Sequence, residues 1–373
     1  MKIAYVCADP GIPLGGTKGA SVHLRSLAEA LVRRGHELLL FCARTEGSNP
    51  PPRGARIVKL PPQGQASWLV KKFAAASVEA VLERYSLPGG SALEAARILG
   101  LPFTLEVNAP LVEEAARFRG LQDVDMWRER ERKLLGEADR VVVVSRALRD
   151  HVLAAGTRPD AVSVIPNGVE LDLFRRGGGD AVRNRLGIDD AFVIGFVGSL
   201  KPWHGVSLLL EAFATLPSSY RLLVVGEGPE EASLKARASL LGLHARALFA
   251  GAVPHAEIPA YLDGMDIGTA PFEAMTGFYF SPLKVVEYLA AALPVVASRQ
   301  GDLPLLVGDA GLLFEPGSRE ALTGALRRLG EDAALRSRMG RAAVARAGSL
   351  DWDHVAARVE DFIAGAVHQR TPA

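Results

Sequence analysis

The sequence predicts an α/β protein with two Rossmann-like domains, each built on a parallel sheet. Short apolar runs typical of buried strands alternate with longer segments whose apolar residues recur at helical spacing. This alternation restarts after a glycine-rich stretch at residues 175–180, which we predict to be a hinge. The length of 373 residues also suits two domains better than one.

The chain begins with the pattern of one strand–helix–strand unit. Apolar residues fill 3–7 and 38–42, and a helical pattern between them covers 20–34 and ends at Gly35. Further strands are predicted at 57–60, 103–107 and 140–144. The charged run within 127–137 predicts a helix with one solvated face.

Strand patterns continue through the rest of the chain. The predicted strands are 162–165, 192–197, 221–225, 247–249, 267–270 and 294–297. Helical segments separate the strands of the second half, so its sheet should be parallel and covered on both faces. Ligands of such sheets bind beyond the carboxyl ends of the strands, and functional residues are therefore expected in the loops that follow them.

Composition excludes several classes of protein. Lys plus Arg (43) balances Asp plus Glu (42), which gives no electrostatic footprint for wholesale nucleic-acid binding. The two cysteines, Cys7 and Cys42, lie in apolar runs and form neither a disulfide framework nor a zinc site. The chain enters a strand pattern directly after Met1 and has no apolar run of about 20 residues, so we expect a cytoplasmic protein.

One glycine-rich loop precedes the first helix. Gly15, Gly16 and Gly19 surround Lys18 there, and backbone N–H groups at a helix N-terminus bind phosphate well. The spacing matches neither the dinucleotide nor the Walker pattern. On this stretch alone a phosphate site and a flexible loop remain equally open.

Three loops of the second half carry further candidates. Lys201 and His204 follow one strand, and the glycine turn at 226–229 follows the next. Lys284 and Glu287 lie three residues apart near a helix start, where they could bind phosphate and a ribose diol. Spacing alone favours a simple surface salt bridge between these two.

The order of motifs resembles the retaining, nucleotide-sugar-dependent glycosyltransferases of family four, and the similarity covers essentially the whole chain. It resembles in particular a subgroup with a Ser-Pro-Leu-Lys loop, here 281–284, in place of the usual first glutamate of an E-x7-E motif. The matching stretches are Lys18-Gly19 with Arg34-Gly35-His36-Glu37, 164–169, 225–229, 249–253 and 284–297.

The resemblance implies the GT-B fold, with two Rossmann-like domains facing across a cleft. The first domain would span 1–170 and be joined by the last helix, about 352–373, and the donor-binding domain would span 175–351. The implied activity is transfer of a hexose-type sugar from a nucleoside-diphosphate sugar to a hydroxyl acceptor with retained configuration. We expect no cofactor, and no metal, because the sequence lacks an Asp-x-Asp motif where one is expected.

Residue by residue, the resemblance implies a donor site and three catalytic groups. Glu287 would bind the ribose, the Val253 backbone the base and the Gly19 N–H the diphosphate, while Asn108 lies where many members have a histidine contacting the transferred sugar. The implied donor-binding residues are Gly16, Gly19, Ser199, His204, Gly226, Val253, Tyr279, Phe280, Ser281, Leu283 and Glu287. The implied catalytic residues are Lys201, Lys284 and Asn108.

The chain departs from the family at three positions. Many members have an arginine at the position of Ser199 and a lysine at that of His204, and members with the E-x7-E motif have its first glutamate at the position of Tyr279. The resemblance then implies that other positive charges stabilise the leaving diphosphate, and Lys201 and Lys284 are the nearby candidates. A catalytically degenerate nucleotide-sugar-binding protein and a GT-B sugar-nucleotide epimerase therefore remain alternatives. Arg84 is either a cleft residue or a helix-end residue, and His23 either reaches the cleft or is a partly exposed helical histidine.

The expected partners are a nucleotide sugar and a hydroxyl acceptor, with no nucleic acid. The acceptor is left open between a polysaccharide, a lipid-linked molecule and a small molecule. A lipid-linked acceptor would bring the first domain into peripheral contact with the inner face of the membrane.

Overall fold

The computed structural model describes residues 1–174 and 177–370, which divide into two compact units. The first unit contains Met1–Asn167, Tyr279–Ser281 and the chain from Trp352 onward, and the second contains Gly168–Phe278 and Pro282–Asp351. Each unit is built on a parallel sheet, which confirms the predicted fold class. Arg175 and Arg176 of the predicted hinge lie outside the described residues.

The sheet of the first unit has the strand order β3-β2-β1-β4-β5-β6-β7. Its strands are β1 (Lys2–Cys7), β2 (Glu37–Cys42), β3 (Arg56–Lys59), β4 (Ala80–Arg84), β5 (Phe103–Val107), β6 (Arg140–Val143) and β7 (Val162–Val164). Its helices include α1 (Gly19–Arg33), α2 (Gln65–Ala76), α3 (Ser91–Leu99), α4 (Leu111–Phe118), α5 (Val124–Glu137) and α6 (Arg146–Ala154). Cys7 and Cys42 are partners in the β1–β2 register, and both are buried in the sheet as predicted.

The second unit repeats this plan with the strand order β10-β9-β8-β11-β12-β13. Its strands are β8 (Phe192–Val197), β9 (Tyr220–Val225), β10 (Ala247–Gly251), β11 (Ile267–Ala270), β12 (Val295–Ser298) and β13 (Gly311–Phe314). Its helices are α7 (Leu171–Phe174), α8 (Gly179–Leu186), α9 (Val206–Phe213), α10 (Glu231–Leu240), α11 (Ile258–Asp263), α12 (Leu283–Ala290), α13 (Leu303–Val307), α14 (Arg319–Glu331) and α15 (Ala333–Gly348). Short 3-10 helices at Pro202–His204 and His255–Glu257 follow β8 and β10.

The last helix, α16 (Trp352–Arg370), belongs to the first unit and packs along α1. Arg33 donates to Asp353 at 2.8 Å, and Arg34 donates to Glu360 at 2.5 Å. The fully buried Trp352 begins this helix where the sequence predicts it.

Two strands escape sequence-based prediction. β4 ends in Glu83 and Arg84, two charges that interrupt its apolar run, yet both side chains are buried. β13 has only four residues and pairs along β12 at the edge of its sheet. The interpretation of Arg84 as a helix-end residue is wrong, because Arg84 lies in the register of β4 opposite Cys7 and Glu106.

In each sheet, the first strand lies in the interior and the chain winds outward on both sides of it. β1 lies between β2 and β4, and β8 lies between β9 and β11. In open α/β sheets of this kind, ligands bind at the carboxyl ends of the strands where the winding reverses. The functional residues predicted from the sequence follow strands at this edge in both units.

Candidate active site

The predicted residues of the second unit lie on strand-end loops and on one helix start. Ser199, Lys201 and His204 follow β8, Gly226 follows β9 and Val253 follows β10. Leu283, Lys284 and Glu287 lie in the first turns of α12.

Lys284 is a buried cation at the reversal point of this sheet. Its Nζ lies 3.9 Å from the ring centroid of Phe196 in β8 and 5.3 Å from that of Phe272, which follows β11. Among the described residues Nζ has no hydrogen-bond partner. Burial lowers the pKa of Lys284 to about 7, against the opposing effect of the Glu287 carboxylate. The predicted salt bridge to Glu287 is not formed within the described residues.

His204 presents a neutral imidazole next to this lysine. Its Nδ1 contacts the carbonyl oxygen of Ser199, which an N–H on that nitrogen satisfies. Burial and the positive charges of Lys284 and Lys201 lower the pKa of His204 to about 3. At neutral pH this chain therefore holds a neutral side chain at this position.

The loops after β8 and β9 approach each other through glycine backbone. A Cβ on Gly226 would lie 2.0 Å from the Gly198 carbonyl oxygen, and both glycines have positive φ, +131° and +139°. A Cβ on Gly198 would lie 2.9 Å from Lys284 Nζ. Glycine at these positions brings the strand ends and the ammonium group close together.

Glu287 has a partner that the sequence did not indicate. Its Oε1 lies 3.0 Å from Nε2 of His255, at the start of the 3-10 helix after β10. His255 stands 32 positions from Glu287 in the chain, and only the fold brings them together. The sequence signal for His255 is its position in the loop that follows a third strand, β10.

In the first unit, the glycine loop before α1 is held from both sides. Arg25, itself buried, donates to the carbonyl oxygens of Leu14 and Gly16 at 2.5 and 2.8 Å. Asn49 donates to the carbonyl oxygens of Gly15 and Gly16 at 3.2 and 3.1 Å. The loop is therefore braced by side chains, and Gly19 begins α1 directly after it.

Asn108 lies at the end of β5 with its amide oriented by Glu106. Its Nδ2 donates to Glu106 Oε1 at 3.1 Å, while its Oδ1 is buried and has no hydrogen-bond partner within the described residues. Oδ1 of Asn108 is therefore an acceptor that no donor of the described residues satisfies.

Several hydrogen-bond donors and positively charged groups surround the Glu106 carboxylate in the interior of the first unit. Tyr5 donates to it at 2.5 Å, His23 Nε2 contacts it, and Arg84 lies 3.7 Å away. Burial alone would raise the pKa of Glu106, but His23, Arg84 and Tyr5 together lower it to about 2. His23 is buried, so the interpretation of a partly exposed histidine is wrong. A charged residue inside the apolar run 103–107 was the signal for this network.

The segment Tyr279–Ser281 packs into the first unit. The Tyr279 hydroxyl donates to Glu114 at 2.9 Å, and burial together with the Glu114 charge raises its pKa. Ser281 Oγ accepts from the Asn167 N–H at 3.0 Å, and its carbonyl accepts from the Asn167 amide at 2.5 Å. Phe280 stacks on Tyr279 at 4.3 Å between ring centroids. The preceding Phe278 is a buried residue of the second unit.

Two family descriptions match the chain, one in each half. "Glycosyltransferase Family 4" matches residues 17–173, and "Glycosyl transferases group 1" matches residues 191–332. The chain belongs to the family-four glycosyltransferases and has the GT-B fold.

This glycosyltransferase is similar over nearly its whole length to named enzymes. It is 28% identical to a D-inositol 3-phosphate glycosyltransferase of Acidothermus cellulolyticus, over 98% of this chain and 88% of that protein. It is 27% identical to the enzyme of the same name from Segniliparus rotundus, over 94% of this chain and 84% of that protein.

Solved structures share the fold of this glycosyltransferase. Anabaena HepE, solved in complex with UDP, aligns with a TM-score of 0.80 and 21% identity, over 98% of this chain and all of HepE. A sucrose-phosphate synthase from Thermosynechococcus elongatus aligns with a TM-score of 0.79 and 21% identity, over 99% of this chain and all of that chain.

The described part of this glycosyltransferase contains neither a candidate membrane-spanning helix nor a candidate metal cluster. None of its helices there is both long and apolar enough to cross a membrane. No group of three or more His, Cys, Asp or Glu residues there is arranged to hold a metal ion.

Proposed function

We propose that this glycosyltransferase transfers a sugar from a nucleoside-diphosphate sugar to a hydroxyl acceptor, with retention of configuration and without a metal ion. Nucleotide-sugar use is supported by the similarity to HepE, whose structures include complexes with UDP and with UDP-glucose. The observation that carries the proposal is the buried ammonium of Lys284 near the carboxyl end of β8, which has no hydrogen-bond partner among the described residues.

Lys284 would stabilise the leaving group. As the glycosidic bond breaks, negative charge grows on the departing diphosphate, and a fixed cation in a buried setting stabilises that charge strongly. The ammonium has no competing hydrogen-bond partner among the described residues, and it lies against the bare backbone of Gly198, where a Cβ would be 2.9 Å from Nζ. Lys201, whose Nζ lies 5.8 Å from the Trp203 ring centroid, would add a second positive charge.

The other groups of the second unit would hold the nucleoside. The Glu287 carboxylate accepts hydrogen bonds from the ribose diol, and the Val253 backbone contacts the base. Gly226 offers bare backbone close to the strand ends, and Ser199, His204 and Leu283 lie on the same loops and helix start.

In the first unit, Gly16 and Gly19 would present backbone N–H groups to the diphosphate, where the positive end of α1 assists. Asn108 would accept a hydrogen bond from the transferred sugar through Oδ1, the atom that Glu106 leaves available. For Tyr279, Phe280 and Ser281 we propose a wall of the donor site, with their polar groups fixed by Glu114 and Asn167.

Retention would proceed without an enzyme nucleophile. A donor phosphate oxygen takes the proton of the acceptor hydroxyl as that hydroxyl attacks the anomeric carbon on the face from which the diphosphate leaves. The groups assembled around Lys284 bind and stabilise the diphosphate, and none of them is required to form a bond to the sugar.

The acceptor is a molecule with a free hydroxyl, and a polyol phosphate is the first to test. The similarity to enzymes named D-inositol 3-phosphate glycosyltransferase supports this choice. A polysaccharide and a lipid-linked acceptor are the next two, the latter with peripheral membrane contact.

The proposal is tested by ligand-dependent melting followed by product analysis. Melting temperatures are measured with UDP, GDP, ADP, TDP and their glucose conjugates, each with and without EDTA. One base should stabilise the protein, by about 2.7 kcal/mol at 100 times its dissociation constant, and EDTA should not remove the effect. With that donor and D-inositol 3-phosphate, NMR of the product should show retained configuration. If no nucleotide stabilised the protein, the proposed donor class would be wrong. Loss of the stabilisation in EDTA would contradict the metal-independent reaction, and a product of inverted configuration would contradict retention.

A further inference from the structure

Among the described residues, the Glu287 carboxylate contacts one side chain from another element, His255. Its Oε1 lies 3.0 Å from His255 Nε2, and both side chains are largely buried, with 10% and 21% exposed. A carboxylate oxygen only accepts hydrogen bonds, so the hydrogen of this contact is carried by Nε2.

The His255 ring is itself fixed. It packs against the buried Phe174 at the end of α7, with ring centroids 5.9 Å apart and planes at 65°. His255 starts a 3-10 helix directly after Pro254, whose backbone is confined by its ring. The imidazole therefore presents its N–H to Glu287 from a defined direction.

On α12, Glu287 contacts His255 and does not pair with Lys284. Lys284 and Glu287 stand three residues apart, a spacing that favours an ion pair on a helix. In the structure, the Glu287 carboxylate faces His255 while Lys284 Nζ lies over Phe196. An ion pair between them would occupy the cation and the carboxylate together, and neither would then be available to a ligand.

We propose that His255 is a positioning residue, which holds one oxygen of Glu287 so that the carboxylate accepts the ribose hydroxyls of the donor and stays apart from Lys284. This inference rests on the proposed function, because it requires a nucleoside diphosphate as the ligand. It assigns His255 no contact with the reacting atoms.

The test measures how the enzyme distinguishes ribose from deoxyribose. Dissociation constants of UDP, ADP and GDP and of their 2′-deoxy counterparts are measured by calorimetry for the wild type, His255→Ala and His255→Gln. The wild type should bind its preferred ribonucleotide about tenfold more tightly than the deoxy form, as one lost hydrogen bond to a charged group implies. His255→Ala should reduce this preference to less than threefold, and His255→Gln, which keeps an N–H donor, should restore most of it.

A merely structural role for His255 predicts a different pattern. Equal weakening of ribo- and deoxyribonucleotides in His255→Ala would overturn the inference, as would an unchanged preference. His244→Ala, at an exposed position of the same unit, is the matched control and should keep the wild-type preference. Wild-type binding without any ribose preference would overturn the inference and the role of Glu287, but not the donor class. Failure of the wild type to bind any of the nucleotides would overturn the proposed function itself.

Discussion

The buried surroundings of Lys284 disfavour the positive charge of its ammonium group. Its ammonium faces two aromatic rings and a glycine backbone, and the nearest carboxylate on its helix is engaged by His255. Beyond its contacts with these rings, we propose that the ammonium is stabilised by an anion when the donor binds. His204, which replaces the family's lysine, is kept neutral by burial and by the same ammonium. We propose that Lys284, together with Lys201, supplies the positive charge that an arginine and a lysine provide in many relatives.

This arrangement predicts that donor affinity depends on pH. The pKa of Lys284 in the free protein is about 7, below its ordinary 10.5, so the ammonium loses its proton as the pH rises through 7. A bound diphosphate favours the charged form, and binding above pH 7 must therefore take up a proton. The dissociation constant of the preferred nucleoside diphosphate should rise toward tenfold per pH unit above 7, measured by calorimetry at pH 6, 7.5 and 9. Lys284→Arg, which stays charged, should flatten this dependence; an equal slope in both proteins would exclude Lys284 as its source.

At the scale of elements, the close approach of the β8 and β9 loops predicts a sharp glycine requirement. Gly226→Ala would force a Cβ within 2.0 Å of the Gly198 carbonyl oxygen at a φ of +131°, so the loops must separate. We expect loss of nucleotide binding and a destabilisation of about 2–4 kcal/mol in urea unfolding, combining strain and overpacking. Gly251→Ala is the control, since its φ is +73° but nothing lies within 4 Å of the added Cβ. It should cost only about 1–2 kcal/mol, and an equal cost for both variants would show that the approach of the loops is unimportant.

At the end of β4, the buried carboxyl group of Glu83 affects the stability of the protein. Glu83 Oε1 accepts from the Gly90 N–H at 2.8 Å before α3, while Oε2 is buried without a hydrogen-bond partner among the described residues. Burial raises the pKa of Glu83 from 4.5 to about 7, although the Gly90 N–H and Arg130 oppose the shift. The folded state therefore keeps a proton that the unfolded state has lost, and this group costs stability as the pH rises from 4.5 to 7.

The glutamine of Glu83→Gln cannot ionise, so this variant should not lose stability through position 83 as the pH rises. Its free energy of unfolding relative to wild type should increase by about 3 kcal/mol between pH 4.5 and 8, at ~1.4 kcal/mol per pKa unit. Urea unfolding at both pH values measures the difference. Glu94→Gln, at an exposed position of α3, controls for the loss of a negative charge. A relative stability of Glu83→Gln that stays constant with pH would contradict the buried ionisation.

For the whole molecule, the sequence predicted the elements that depend on a local pattern of residues. It did not predict contacts between residues that are distant in the chain. Alternating strand and helix patterns predicted both sheets, because apolar periodicity reports burial directly. β4 was missed because its two charges hide a buried strand, and those charges are tolerated only through partners such as Glu106 and the Gly90 N–H. The Tyr5–Glu106 bond joins positions 101 apart, which no local pattern encodes.

The same division applies to the candidate site. The loops that carry Lys201, His204 and Gly226 could be named from strand ends and glycine turns, and the family resemblance supplied roles. The sequence could not show that Lys284 is buried with no ion-pair partner in the described part of the chain, or that His255 contacts Glu287. Spacing alone favoured a salt bridge between Lys284 and Glu287, but Lys284 contacts Phe196 in β8 and Glu287 contacts His255 in the 3-10 helix after β10.

The measurement that tests the central claim most directly compares binding with turnover in Lys284→Ala. The dissociation constant of the preferred nucleotide sugar and its single-turnover rate of transfer are determined for wild type and variant, with Lys235→Ala, at an exposed position of the same unit, as control. Because charge builds on the diphosphate in the transition state, the rate should fall by about 10²–10³ while affinity at pH 6 falls less than tenfold. Equal losses in rate and affinity, or a rate that stays at the wild-type level, would contradict the assignment of Lys284 to the leaving group.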